Sequence, residues 1–382
     1  MRFYEILGHD AQKEALMAGV ALGRIPHAQL FVGPEGCGLL PMALAYAQYV
    51  FCQNQTSENS DEGAGCNLRC DHLSHPDLHF VYPTATNNRV KSKPSSIAFL
   101  DDWRSFVLEN PYGGLFDWYQ HLGVENKQGQ IGVADAQELI SALGLKSYEG
   151  GWKGAVVWGA DKLNVAAANK LLKLVEEPPE KTLLLLVTNH EDQVLETLRS
   201  RCQTTTFSAL PPQTIASGLL SKGCPQETAQ QLAHQANGDY NLALSLLKNA
   251  DSPFEDWFVH WVRTAFKARG NKSAVLELIA WSQLVAGTGR ETQKQFLRYC
   301  IELFRQALMT NYGLKELTHF VSKGNFELDR FAPFVHNGNI FLIVKALEES
   351  FYHVERNGNA KMIFSELSLT LTKLIHANPK AA

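Results

Sequence analysis

The sequence predicts an α/β domain with a mostly parallel sheet, followed by an all-helical region. Short apolar runs alternate with helical patterns up to about residue 210, which is the order expected of parallel strand–helix–strand units. The apolar run at 30–32 leads into a glycine-rich loop and then a helical stretch, as a phosphate-binding loop requires. After Pro211 and Pro212 no strand pattern remains.

Each element follows from its local pattern. Three short, continuous apolar runs predict buried strands at 30–32, 154–158 and 182–187. Helical spacing of apolar residues predicts helices at 11–22, from the glycine loop to about 51, at 134–143 and at 165–177. A small helical unit is predicted at 213–248, and long amphipathic helices from 253 onward.

The same patterns divide the chain into three parts. Residues 1–210 form the predicted α/β domain, with a cysteine-containing module at about 52–76 and an insertion at about 84–128. Residues 211–250 form a small helical unit, and residues 251–382 form a larger helical domain.

Composition limits the function classes. Of the 382 residues, 45% are hydrophobic and 19% charged, which fits a globular protein with an ample core. No apolar run reaches the roughly 18 residues of a membrane span, and the N-terminus lacks a signal-peptide pattern. A net charge of −4 gives no overall basic footprint for nucleic acid. Seven cysteines without an export signal favour a reducing cytoplasm, and metal binding over disulfides.

The glycine loop has the glycine spacing of G-x-x-x-x-G-K-[ST] but lacks its reactive residues. Gly33, Gly36 and Gly38 supply the glycines, whereas Leu39 and Leu40 stand where Lys and Ser/Thr would be. An alkyl side chain neither balances a triphosphate nor offers oxygen to Mg²⁺. Taken alone, the loop is equally well interpreted as a glycine turn unrelated to nucleotides.

The next predicted strand has lost its catalytic residues as well. In a P-loop ATPase this strand ends in an Asp for Mg²⁺, followed by a Glu that activates water. Trp158 and Gly159 occupy those positions, and Asp161 lies too late to be the metal ligand. The sequence therefore predicts no intrinsic catalysis and no functional binding of ATP and Mg²⁺.

Two segments carry a family resemblance. Residues 166–179 (AAANKLLKLVEEPP) and 197–202 (TLRSRC) strongly resemble the AAA+ subunits of bacterial clamp loaders. The His27-Ala28 pair and residues 6–8 and 30–34 match the same family. The resemblance covers residues 1 to about 250 and is weaker, at the level of helical pattern, beyond. It implies an AAA+ P-loop domain, a helical lid and a helical collar for oligomerisation.

The resemblance also implies a role in loading the sliding clamp on primed DNA. Within the family the chain is similar to the non-hydrolysing stator, which presents the Arg of Ser-Arg-Cys to ATP held by a neighbour. Arg201 is the matching residue, and Ser200 and Cys202 would position its loop. The alternative is that Arg201 is a solvated surface arginine without a functional role. In the lid, Asn241 replaces the family's nucleotide-sensing Arg.

The implied partners are the gamma/tau ATPase and delta subunits of DNA polymerase III, and through them the sliding clamp and primer-template DNA. The implied location is the bacterial cytoplasm, at the nucleoid-associated replisome. Three other functions compete: an active gamma/tau-like ATPase, a zinc-containing DNA-binding module, and a helicase-like AAA+ scaffold. The altered loop weighs against the active ATPase, and the lack of an overall basic charge weighs against the DNA-binding module. The two quoted segments favour the clamp loader over the helicase-like scaffold.

The cysteine module is a candidate structural zinc site. Cys52, Cys66 and Cys70 lie where the resemblance implies a four-cysteine module, but one cysteine is lacking. Since structural zinc needs four ligands, His72 is the predicted fourth, ahead of His75. The alternative is a degenerate module of free thiols.

The insertion contains an aromatic segment at residues 97–122. Its aromatic side chains are predicted to pack on the main domain or on the cysteine module, with a partner-binding surface as the alternative. Base stacking on DNA is disfavoured because the segment is acidic, with Asp101, Asp102, Glu109 and Asp117.

Overall fold

The chain folds as two compact units. The computed structural model describes residues 1–52, 60–124, 127, 129–248, 253–314, 318, 320, 322 and 326–377; for residues 60–64, 248 and 291 it describes the backbone alone. The first unit is Met1–Leu247 and the second is Lys248–Ala382. The predicted boundary between the α/β domain and a lid lies inside the first unit and stays a prediction.

A five-stranded sheet lies at the centre of the first unit. Its strands run in the order β2-β3-β4-β1-β5, and all neighbouring pairs are parallel. The strands are β1 Ala28–Val32, β2 Leu78–Val81, β3 Lys153–Trp158, β4 Thr182–Thr188 and β5 Gln203–Thr206. Every residue of β1, β3 and β4 is buried, because helices cover both faces of the sheet. The sheet confirms the predicted α/β class with a mostly parallel sheet.

Helices cover the two faces of this sheet. Phe31, Leu185 and Val187 point into a core that includes α2, while Leu30, Leu184 and their alternating neighbours face α6 and α7. The helices of this unit are α1 Asp10–Ala21, α2 Leu39–Cys52, α3 Ser60–Asp71, α4 Leu100–Glu109, α5 Leu115–His121, α6 Val133–Gly144, α7 Val165–Glu176, α8 Glu196–Arg199, α9 Pro212–Leu220, α10 Gln226–Gln235 and α11 Tyr240–Lys248.

The second unit is helical throughout its described residues, as predicted. Its helices are α12 Phe254–Lys267, α13 Lys272–Ala286, α14 Arg290–Asn311, α15 Leu328–Phe331, α16 Asn337–Glu355 and α17 Ala360–Ile375. Trp261 and Trp281 stack at 5.0 Å in its core, and Trp261 Nε1 donates a hydrogen bond to Ser368 Oγ. Among the described residues of both units, no helix is long and apolar enough to span a bilayer.

Candidate functional site

The glycine loop lies between β1 and α2, at the carboxyl ends of the parallel strands. Gly36 (φ +66°) and Gly38 (φ +101°) have left-handed backbones, which favour glycine. A Cβ on Gly33 would lie 2.7 Å from the Phe207 carbonyl oxygen. Leu39 and Leu40 are buried at the start of α2. The loop therefore keeps its close-packed backbone while alkyl side chains replace the ammonium and hydroxyl groups.

Residues from the predicted lid pack directly on this loop. The Tyr240 N–H donates a hydrogen bond to the Gly36 carbonyl at 3.1 Å. A Cβ on Gly36 would lie 1.7 Å from Asp239 Oδ1, so that carboxylate rests on the loop backbone. On the other side of the loop, Asn189 Nδ2 donates to the Gly33 carbonyl at 2.8 Å. The loop is thus enclosed by polar contacts from the same chain.

The thiol of Cys37, within the glycine loop, is buried too. Burial raises the pKa of Cys37 to about 12, so it stays protonated at neutral pH. The His9 ring Nε2 lies 2.8 Å from the Cys37 carbonyl oxygen, and burial lowers the pKa of this imidazole. No charged nucleophile therefore arises at this part of the loop.

Hydrophobic residues of the insertion cover the end of β3. Trp158 is buried, with its ring centroid 5.1 Å from that of Trp103 and 6.0 Å from that of Phe106. A Cβ on Gly159 would lie 2.9 Å from Pro83 Cγ and 3.3 Å from Leu115 Cδ2. The positions of the expected metal-binding Asp and catalytic Glu are therefore packed against apolar atoms.

Asp161 serves a structural purpose close by. Its side chain is 2% exposed and forms an ion pair with Lys162 at 2.8 Å. Thr188 Oγ1 donates a hydrogen bond to Asp161 Oδ1 at 2.7 Å. The carboxylate is thus held by its own chain at the ends of β3 and β4.

The aromatic segment at 97–122 forms a layer over the end of β3. Trp103 stacks on Tyr82 at 4.2 Å, and Trp118 Nε1 donates a hydrogen bond to the Pro83 carbonyl at 2.8 Å. Phe99, Trp103 and Trp118 are fully buried. The interpretation that these aromatic residues pack on the main domain is confirmed by these contacts.

Tyr112 joins three parts of the first unit. Its hydroxyl accepts a hydrogen bond from the Leu7 N–H at 2.9 Å. Its ring lies over the loop, with Cε1 3.0 Å from where a Gly38 Cβ would be. It also meets the Tyr240 ring edge-to-face at 4.9 Å. The N-terminal segment, the glycine loop and the predicted lid thus contact one side chain.

Asn241, which the resemblance sets in place of a nucleotide-sensing Arg, bonds to the insertion. Its Nδ2 donates to Asp117 Oδ2 at 2.7 Å, and its Oδ1 accepts from Asn110 Nδ2 at 3.0 Å. Both ends of the amide are therefore bonded within the chain.

Arg201 lies at the amino ends of the parallel strands, whereas the glycine loop lies at their carboxyl ends. It comes two residues before β5, whose first residue pairs with Gln29 near the start of the parallel strand β1, whereas the loop follows the end of β1. Its Nε donates to Glu176 Oε1 at 2.6 Å and its Nη1 to the Thr197 carbonyl at 2.8 Å. The side chain remains 40% exposed. Arg201 and the glycine loop are therefore at opposite ends of the parallel strands, and the guanidinium is open to solvent.

The neighbours of Arg201 in the motif shape its loop. Ser200 Oγ donates to the Thr197 carbonyl at 3.4 Å, and the Cys202 thiol donates to the Leu198 carbonyl at 3.3 Å. Burial raises the pKa of Cys202 to about 11, which keeps it a thiol at neutral pH. Both side chains therefore bond to the backbone of their own segment, and their positioning role stays a prediction.

Comparison with known proteins identifies the family. A family model described as DNA polymerase III, delta subunit matches residues 8–211, just over half of the chain. The chain belongs to this DNA polymerase III delta subunit family.

Individual relatives agree with that assignment. The chain is 30% identical over 214 residues to the DNA polymerase III subunit delta' of Bacillus subtilis (strain 168), covering 56% of this chain and 52% of that protein. It is 27% identical over 324 residues to the delta' subunit of Escherichia coli (strain K12), covering 84% and 80%. The match to the Bacillus relative thus spans about half of its length.

A solved structure gives a weaker similarity. The gamma subunit-related protein of Thermotoga maritima aligns over 94% of this chain and 99% of its own, with 13% identity and a TM-score of 0.36.

The three clustered cysteines of this family member meet between α2 and α3. Cys52 and Cys66 form a disulfide, and Cys70 Sγ lies 3.8 Å from Cys52 Sγ. The sequence favoured metal binding over disulfides for the clustered cysteines, whereas the structure pairs Cys52 with Cys66; the alternative of free thiols throughout the module does not hold for this pair. α3 brings Cys66 and Cys70 together because residues four apart share a helical face.

His72 was predicted as the fourth ligand, and the structure places it elsewhere. It is exposed at the end of α3, since two residues beyond Cys70 is nearly the opposite helical face. His75 is buried instead. A nitrogen atom of its ring, the sulfur atom of Cys66 and a carboxylate oxygen of Glu149 lie within 4.8 Å of one another. His75 Nε2 lies 3.2 Å from Glu149 Oε2, and burial lowers the pKa of the imidazole.

The donor set does not complete a four-ligand zinc site in this arrangement. The three sulfur atoms lie within 4.8 Å of one another, but two of them are bonded together. Among the described side chains, no fourth donor lies within 4.8 Å of all three. Structural zinc is bound by four separate ligands, its cysteines as thiolates.

Proposed function

We propose that this chain is a non-hydrolysing clamp-loader subunit of DNA polymerase III, a delta-prime-like stator. In this role it helps load the sliding clamp on primed DNA and donates Arg201 to ATP held by a neighbouring subunit. One observation carries the proposal: the chain's own residues cover the degenerate site, while Arg201 is exposed at the opposite edge of the sheet. The delta' names of the bacterial relatives support the assembly.

The absence of hydrolysis in cis follows from the groups that cover the loop. A triphosphate needs a nearby cation and a metal ligand, and Leu39 and Leu40 supply neither. The water-activating position is Gly159, packed against Pro83 and Leu115. A nucleotide would also have to displace Tyr112 and Asp239 from the loop glycines. We expect no functional ATP or Mg²⁺ binding in this chain.

The action in trans follows from the chemistry of Arg201. A guanidinium has five N–H donors in one plane and keeps its charge at any physiological pH. Two of the five are engaged, by Glu176 and the Thr197 carbonyl. Three remain for the oxygens of a γ-phosphate, whose developing charge an arginine finger stabilises.

The proposed partners follow from this role. The ATP would be held by a gamma/tau subunit, and the assembly would include the delta subunit, which opens the clamp. Contact with the sliding clamp and primer-template DNA would be indirect. We infer the location to be the bacterial cytoplasm, at the replisome.

Reconstitution with the partner subunits of the same organism tests the proposal. DNA-dependent ATP hydrolysis is measured for this chain alone, for the mixture, and for the mixture with Arg201→Ala. We expect the chain alone to be silent, and the Arg201→Ala complex to assemble but hydrolyse ATP more slowly. Arg199→Ala is the matched control, because it removes the same charge two residues away and has no described side-chain bond. Hydrolysis by the chain alone, or an unaffected Arg201→Ala complex, would refute the proposal.

A further inference from the structure

We propose that Glu176 is a positioning residue for Arg201, holding its guanidinium in the orientation that reaches a neighbour's nucleotide. The proposal rests on the trans role of Arg201 given above. Its basis is the ion pair between Arg201 Nε and Glu176 Oε1, at 2.6 Å, which joins the end of α7 to the segment before β5.

Two acceptors from different elements fix the plane of the guanidinium. Glu176, the last residue of α7, accepts from Nε, and the Thr197 carbonyl of α8 accepts from Nη1 at 2.8 Å. A planar group held at two of its nitrogen atoms cannot rotate about its long axis. The remaining N–H groups belong to Nη1 and Nη2, and no other bond from them is found within the described part of the chain.

The ion pair is poorly suited to a stabilising role. Glu176 is 47% exposed and Arg201 is 40% exposed, so water screens the attraction between them. Exposed ion pairs of this kind contribute little to folding. A gain in preorganisation is different, since an arginine without this contact would have to lose its side-chain freedom at each encounter with the partner.

Charge and orientation make opposite predictions for Glu176. Its carboxylate partly neutralises Arg201, so if charge dominated, removing it would strengthen the attraction to a phosphate. If orientation dominates, removing the acceptor slows hydrolysis, while an amide that can still accept from Nε preserves most of the rate. We expect orientation to dominate, because the Arg must reach one place in the transition state.

The test uses the reconstituted complex and a double-mutant cycle. We expect Glu176→Ala to lower the maximal rate of DNA-dependent ATP hydrolysis about 3- to 10-fold, the loss expected from freeing one long side chain. KM for ATP and the melting temperature of the isolated chain should stay unchanged, and Glu176→Gln should recover most of the rate. Glu177→Ala is the control, because it removes the neighbouring carboxylate, for which no bond is described.

In the Arg201→Ala background, Glu176→Ala should have no further effect. If it slows hydrolysis there as well, or if Glu176→Ala matches wild type while Arg201→Ala is slow, Glu176 does not act through Arg201 and the inference is wrong. If Arg201→Ala itself has no effect, the proposed function is what fails.

A second measurement covers the case in which the Glu176→Ala complex does not assemble. Hydrogen exchange of the Arg201 Nε–H is followed by ¹⁵N NMR in the isolated chain. Slow exchange in wild type and Glu177→Ala, with faster exchange in Glu176→Ala, is the expected result. Equal exchange in all three variants would overturn the inference.

Discussion

Two buried tryptophans in the aromatic layer allow a sharp test of its packing. Trp103 and Trp118 are each 0% exposed, and their rings meet edge-to-face at 5.6 Å. Trp118 Nε1 donates to the Pro83 carbonyl at 2.8 Å, whereas Trp103 Nε1 is buried without a hydrogen-bond partner among the described atoms. The two residues therefore share burial and differ in the fate of the indole N–H.

Replacing each by phenylalanine separates these contributions. Both substitutions remove a similar apolar volume, so the packing loss largely cancels in the comparison. Trp118→Phe also loses a hydrogen bond and leaves the Pro83 carbonyl without its donor, which costs about 1–3 kcal/mol. Trp103→Phe removes an unsatisfied donor instead. We expect Trp118→Phe to be the more destabilising by at least about 2 kcal/mol.

Urea unfolding followed by far-UV circular dichroism measures the difference. With a slope of about 2 kcal/mol/M, the midpoint for Trp118→Phe should lie about 1 M below that for Trp103→Phe. Because the chain has two units, the change should appear only in the transition of the unit that contains both residues. Equal midpoints would refute the reasoning that the two indole groups differ in hydrogen bonding.

Three further predictions concern the loop, pH and metal. Leu39→Lys should not restore binding of a fluorescent ATP analogue and should lower the melting temperature, because it buries an ammonium where Leu39 is 5% exposed; ATP binding by this variant would contradict the account of the loop. Burial lowers the pKa of His9 and of His79. The charged or titratable neighbours of His9 are Lys13 and Asp10, and those of His79 are Asp77 and His75. Below about pH 6.5 the unfolded chain therefore binds more protons, so the free energy of unfolding should fall from pH 7 to 5, by up to about 1.4 kcal/mol per pH unit for each histidine; His79→Asn should reduce this slope in denaturant titrations, and an unchanged slope would show that His79 is not responsible. Finally, the chain purified without reductant should contain no stoichiometric zinc by atomic emission. Under denaturing conditions, a thiol reagent should react with two fewer groups than the seven cysteines of the chain. One zinc per chain would show that the cysteines act as ligands instead.

The parts of the fold that could be predicted from the sequence are those with a continuous local signal. β1, β3 and β4 are apolar along their length because both sheet faces are covered. The edge strands β2 and β5 were not predicted; β5 is the mostly exposed sequence Gln203–Thr206, which has neither an apolar run nor alternation. β5 therefore carries none of the pattern, whereas β2 is mostly buried but only four residues long.

The contacts of the site depend on pairs far apart in the chain. Leu7 meets Tyr112 across 105 positions, and Asn110 meets Asn241 across 131. No periodicity could have indicated these pairs, although the excess of aromatic residues in the insertion did indicate a buried layer. His72 was chosen without a predicted helix at this place; once α3 is present, a residue two positions beyond Cys70 lies on nearly the opposite helical face.

Arg201 and Glu176 were each part of a segment that the sequence singled out, yet their pairing was not predicted. The pairing follows from topology: α7 runs antiparallel to the strands, so its last residue lies at the edge where the parallel strands begin, and Arg201 precedes β5 at the same edge. Strand order was needed before the two segments could be placed together.

The two edges of the sheet suggest why a covered site and an exposed arginine occur in one chain. A subunit that switches with its nucleotide must let its lid move relative to the loop. Here the Tyr240 N–H bonds directly to the Gly36 carbonyl, and Asn241 bonds to the insertion at both ends of its amide. These bonds tie the lid segment to the loop without any nucleotide between them. In the proposed trans role, the orientation of Arg201 would depend on its own ion pair with Glu176 and not on a ligand bound in this chain.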